Sequence, residues 1–137
     1  MKNVLYIVWQ SSSESGIPIL DEQHRGIVSA INSLHYFIQN GDAAVAFEPT
    51  MDILNYYTRL HFLAEEALLR AAGYPDIDAH VELHHRLMDQ VRSMAKGHAD
   101  EDQVQALLEF LKEWWVGHIN NEDKQYNAIV KKYLGLR

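Results

Sequence analysis

The sequence predicts an all-α fold, an up-down-up-down four-helix bundle with an irregular N-terminal arm. Three observations lead there. Glycine and proline are sparse, 7 and 3 among 137 residues, while the helix formers Ala, Leu, Glu and Gln abound. Apolar residues recur at helical spacing in four long segments joined by short connections. Hydrophobic residues make up 47% of the chain, enough for the core of one domain. The expected division is an arm over 1–17 and a bundle over 18–137.

In the arm, a short strand-like piece around Leu5–Trp9 precedes the polar run Ser11–Gly16, and Trp9 is expected to pack the arm onto the bundle. The first helix should start near Asp21 as N-cap and reach about Asn40, with Ile27, Ala30, Ile31, Leu34 and Ile38 facing inward. Gly41-Asp42 ends it. The second runs from Ala44 or Pro49 to Ala72, burying Met51, Leu54, Tyr57, Leu60 and Leu68, and Gly73-Tyr74-Pro75 stops it. The third covers about Asp76–Lys96. The fourth, about Asp102–Leu134, carries Leu107, Leu108, Leu111, Trp115, Ile119, Tyr126 and Ile129. Tyr56, Tyr57, Phe62, Phe110 and Trp114 are read mostly as core.

Charge and composition exclude several functions. The net charge of −7 repels phosphate backbones, and no basic stripe with interleaved aromatics appears, so nucleic acid is not an expected partner. With no cysteine there are no disulfides, zinc–thiolate sites, iron–sulfur clusters or thioether-linked haem. The N-terminus lacks the apolar stretch and cleavage site of a secretory signal. No run approaches the roughly 18 apolar residues that span a bilayer. The expectation is a cytoplasmic domain without direct membrane insertion.

The eight histidines matter by placement. His61 and Glu65, within HFLAEE, are four apart; so are His80 and His84, within HVELHH. Four residues advance a helix by about 400°, so each pair projects from one face about one turn apart. His118 and Asp123, within HINNED, are five apart and splay by about 500° of rotation, which still lets the carboxylate lean toward a second metal. His24, in DEQH, stands alone near the start of the first helix. At about 1.5 Å rise per residue, the seven groups fall approximately into one layer to which all four helices contribute. Five imidazoles and two carboxylates make a nitrogen-rich, thiolate-free set; imidazole suits iron, zinc, copper and nickel, and bridging carboxylates with several imidazoles suit a pair of redox-active irons. Buried without a metal, each of them would need another partner.

The order His…HxxxE…HxxxH…HxxxxD, with DEQH, HFLAEE, a Tyr-Pro turn and HINNED, resembles the haemerythrin family, in its bacterial branch, from Trp9 to the last helix. The resemblance implies two iron ions with an oxo or hydroxo bridge. His80, His84 and His118 would hold one iron, His24 and His61 the other, which keeps an open position; Glu65 and Asp123 would bridge them. Dioxygen would bind there reversibly, held as hydroperoxide. Phe62, Trp115 and Ile119 are candidates for the apolar lining of the dioxygen pocket. Family members often carry leucine where this chain has Trp115, so pocket size, access and autoxidation rate are expected to differ while ligation is not.

The other histidines, His35, His85 and His98, are read as non-ligands, and Glu66 as a supporting or surface contact. A di-iron oxidase or peroxidase is the alternative. Ferritin-like enzymes repeat Glu-x-x-His on two helices, however, and this chain offers that spacing once, at Glu82 and His85. No HExxH motif supports a zinc hydrolase. The expectation is a non-enzymatic dioxygen-binding protein, for carriage and storage or for sensing, with a signalling protein such as a chemoreceptor as partner in the second case.

Overall fold

The computed structural model describes residues 5–96, 100–117 and 124–136. Among the described residues, a 3₁₀ turn at Ser11–Ser13 is followed by five helices: α1 (Pro18–Gln39), α2 (Ala43–Ala71), α3 (Ile77–Ala95), α4 (Glu101–Trp114) and α5 (Lys124–Leu134). The described residues form no strand. α1 packs on α2 and α4, α3 packs on α2 and α4, and α5 lies against α2. With connections as short as residues 40–42 and 72–76, that closed ring of neighbours is the expected antiparallel bundle.

Local chemistry explains where the helices begin and end. α1 starts before the expected Asp21, with Pro18 in its first turn and Ile17 as N-cap. Proline has no N–H to orphan there, and its fixed φ suits the first turn. Asp21 instead turns back on the arm. Its carboxylate accepts from the Ser15 N–H (2.7 Å), the Ser15 hydroxyl (2.8 Å) and the Gly16 N–H (3.1 Å). At the far ends of α1 and α2, Gly41 and Gly73 both take φ +78°, a left-handed conformation cheap for glycine. The next residue then bonds back into the helix, Asp42 N–H to Phe37 O and Tyr74 N–H to Leu69 O. α2 takes the earlier of its two expected starts and runs through Pro49. α4 is capped by Asp100, whose side chain accepts from the Asp102 N–H.

The fourth expected helix is described as two pieces. α4 passes into a π-type turn over residues 115–117, and His118, Ile119 and Asp123 lie outside the described residues, as does His98.

The strand-like piece bends at Tyr6 and Ile7 and pairs with a side chain instead of a strand. Asn32 of α1 accepts from the Ile7 N–H (2.7 Å) and donates to the Ile7 carbonyl (2.9 Å). One amide thus satisfies both backbone groups that a neighbouring strand would have taken. Trp9 packs as expected, its ring centroid 5.7 Å from that of Trp115, with the Arg25 guanidinium 4.7 Å from the ring.

Among the described residues, two apolar clusters make the core. The larger gathers Ile27, Ile31, Leu54, Phe62, Leu107 and Trp114 with their neighbours; the smaller gathers Ile17, Leu20, Leu69 and Val130. Three inward expectations fail. Leu60 is 41% exposed and Tyr56 68%, because the α2 stripe runs through Met51, Leu54, Thr58, His61, Glu65 and Leu69, rotated away from both. On α5, Val130 is buried and Ile129 faces out.

Candidate metal centre

Between the two apolar clusters lies a polar layer, and the helices thread it in turn. Along α1, His24 sits between Leu20 of one cluster and Ile27 of the other; along α2, His61 and Glu65 lie between Leu54 and Leu69; along α3, His80 and His84 lie between Ile77 and Leu87. His24, His61, Glu65, His80 and His84 are all buried, His61 at 0% and Glu65 at 1% exposure.

Glu65 is the hub. Its Oε2 lies 3.2 Å from His61 Nε2, and its Oε1 contacts His80 Nε2 and lies 3.1 Å from His84 Nε2. His24 Nε2 approaches His61 Nε2 at 3.1 Å. The donor atoms form two compact groups, His24–His61–Glu65 and Glu65–His80–His84, each with its atoms within 4.8 Å of one another. The four-residue spacings within His61/Glu65 and His80/His84 produce this directly, since each pair stacks on one helix face.

The outward ring nitrogens are also engaged. His84 Nδ1 lies 2.7 Å from Glu66 Oε2, and His61 Nδ1 lies 3.4 Å from Gln23 Oε1. Both partners accept, and a neutral imidazole has one N–H to give. Donated outward, that proton leaves the lone pairs of His84 Nε2 and His61 Nε2 facing the Glu65 carboxylate. Lone pairs set against an anion repel unless a proton or a cation lies between them. The donor set therefore fits a cation in each group. Burial pushes the Glu65 carboxyl upward, but hydrogen bonds from His61, His80 and His84, with the charge of His61, outweigh it. They hold the carboxyl well below the usual carboxylate range.

Aromatic rings wall the layer. Phe62 stacks on His84, centroids 3.7 Å apart and planes within 5°, and Trp114 meets Phe62 edge-on. Trp115, 2% exposed, stands edge-on to His24 at 5.6 Å. The turn after α2 brings Tyr74 edge-on to His80 at 6.5 Å. Of the three expected lining residues, Phe62 and Trp115 thus touch the cluster and Ile119 lies outside the described residues.

Two further contributors are visible here. Gln23 is buried beside His61, and no periodic pattern marks it, because it lies about 100° around α1 from His24. Glu66, one residue past Glu65, supports His84, one of the two roles open to it from sequence. His35 lies away from the layer, stacked on Tyr6.

Comparison with known proteins agrees with this geometry. Residues 15–130 match the model of the hemerythrin HHE cation binding domain. A bacteriohemerythrin of Pseudomonas aeruginosa PAO1 is 35% identical over 92% of this chain and 82% of its own length. One of Stenotrophomonas maltophilia R551-3 is 33% identical over 93% and 84%, and one of Clostridium acetobutylicum 30% over 87% and 97%. With four helices packed in a ring, a buried histidine–carboxylate layer drawn from α1, α2 and α3 and this likeness along most of its length, the chain belongs to the haemerythrin family.

Proposed function

We propose that this protein binds dioxygen reversibly at a pair of iron ions, without catalysing a reaction. His24 and His61 would serve one iron and His80, His84 and His118 the other, with Glu65 and Asp123 shared between them. One observation carries the reading: a single buried carboxylate, Glu65, belongs to both histidine groups. When bound, two irons supply the paired one-electron changes that taking up and releasing dioxygen requires.

The protein's own residues supply the surroundings. Glu65 spans the two groups and sets their separation. Five neutral imidazoles favour the reduced pair more than a carboxylate-rich set would. Phe62 on His84 and Trp115 on His24 keep water from the layer, which favours release of dioxygen over loss of a reduced oxygen species.

The test is optical. The iron-loaded protein is reduced with dithionite, exposed to air and then depleted of oxygen. A visible absorption band that appears and disappears over repeated cycles is expected. Oxidation in one direction with release of peroxide would overturn the reading in favour of a di-iron oxidase or peroxidase. His61→Ala should abolish oxygenation; an unchanged reversible band in that variant would refute the assignment of His61.

Sensing is the role favoured by the contact chain from the arm to the site: Trp9 on Trp115, and Trp115 on His24. In such a role the arm would respond to the state of the centre and present it to a signalling partner. Hydrogen exchange of residues 5–13 should then differ between deoxygenated, oxygenated and oxidised protein. Identical exchange in all three states would leave carriage or storage.

A further inference from the structure

The two halves of the layer are backed by different chemistry. Behind His84 stands Glu66, an anion accepting at 2.7 Å from Nδ1 and 12% exposed; behind His61 stands Gln23, a neutral amide accepting at 3.4 Å. Glu66 lines a groove of about 360 Å³ together with Arg59, Phe62, Met88 and Arg92. Although two guanidinium side chains line that groove, Glu66 pairs with His84, and Arg92 pairs with Asp89 at 3.0 Å. Its carboxylate is therefore committed to the ring.

A carboxylate behind an imidazole fixes the tautomer and orientation of the ring and pushes electron density toward the opposite nitrogen. Its charge also favours a more positive ion on the far side, in a buried setting where screening is weak. A neutral amide at longer range does less of each. We propose that Glu66 is a positioning residue that makes the His80–His84 half take its metal ion first and more tightly, and makes it the more easily oxidised half. Gln23 leaves the His24–His61 half weaker and more readily kept reduced. The inference rests on the reading that the two groups hold metal ions, but it does not require dioxygen binding.

The experiment is calorimetric titration of the metal-free protein with Co²⁺. Two separate binding steps are expected in the parent. Glu66→Gln should weaken the tighter step about 10–100-fold, the usual cost of losing such an outer partner, and leave the other step in place. Glu66→Asp should restore part of the loss, and Gln23→Glu should strengthen the weaker step so that the two converge. In the iron-loaded protein, the first oxidation should move to a higher midpoint potential in Glu66→Gln, a change that mere loosening of the fold would not produce. The proposal is overturned if Glu66→Gln leaves both steps and the midpoint unchanged, or weakens both steps equally. Should Glu66→Gln fail to fold, Gln23→Glu decides: steps as far apart as in the parent overturn it. Failure of the oxygen reading is separately visible, since a parent that binds two cobalt ions but shows no reversible oxygen band loses that reading and keeps this one. A parent that binds no cobalt refutes both.

Discussion

His35 and Tyr6 tie the arm to α1, their rings stacked with centroids 4.6 Å apart and planes within 16°. The Lys112 ammonium of α4 lies 4.6 Å from the Tyr6 ring centroid. Burial lowers the His35 pKa, and the Lys112 charge lowers it further. The folded protein thus prefers the neutral ring. Above the unfolded value near 6.5 both states are neutral and this contribution is whole; as pH falls toward the lower folded value, the unfolded chain takes up its proton first and the contribution is lost. Protection of the Ile7 amide, which donates to Asn32, should therefore drop between pH 7 and pH 5. His35→Phe should flatten that dependence, and equal slopes in parent and variant would clear His35 of any part in it. The same scale holds the difference between Glu65 and Glu66. Adjacent in sequence, they face opposite sides of the His84 ring, one toward its Nε2 and the other toward its Nδ1.

Among the elements, α1 and α2 fit together at Gly26, which faces the Tyr57 ring. A Cβ placed there would sit 2.6 Å from the Tyr57 ring. In an isolated helix, Gly→Ala gains about 1 kcal/mol, but overpacking a fitted contact costs about 1–3 kcal/mol. Gly26→Ala is expected to destabilise the protein by about 1 kcal/mol net, read as a lower thermal midpoint. Adding Tyr57→Leu should recover it, because the ring rather than the backbone is the obstacle. A stabilised single variant would show that Tyr57 swings clear at no cost. The π-type turn at residues 115–117 belongs to the same scale. Trp114 and Trp115 are both buried, one against Phe62 and the other against His24 and Trp9. Consecutive side chains on a helix diverge by about 100°, so the pair serves two walls of the layer.

For the whole molecule, the polar layer is the weak point of the metal-free state and the strong point of the loaded one. It splits the apolar core into two clusters, so the packing of each half reaches the other through histidines and Glu65. A ligand that binds the folded state alone stabilises it by about 2.7 kcal/mol at a free concentration one hundred times its dissociation constant. Adding Fe²⁺ or Co²⁺ to metal-free protein should raise the thermal midpoint by several degrees, and a chelator should reverse the gain. Coincident melting curves with and without metal would contradict a cation-binding layer. No helix among the described residues is long and apolar enough to cross a membrane.

The pattern along the chain was sufficient for helix class, order and approximate ends, and for which residues stack on a common face. Those properties follow from 3.6-residue periodicity and from local turn chemistry at positions such as Gly41 and Gly73. The pairings His61/Glu65 and His80/His84 were legible for the same reason. The tertiary structure alone decided that Glu66 and Gln23 stand behind two of the rings, and that Leu60 and Tyr56 face water. It also decided that the arm pairs with Asn32 through Ile7. Each of these depends on how helices rotate and approach one another, which is set by the summed packing of residues far apart in sequence and leaves no periodic mark on any one segment.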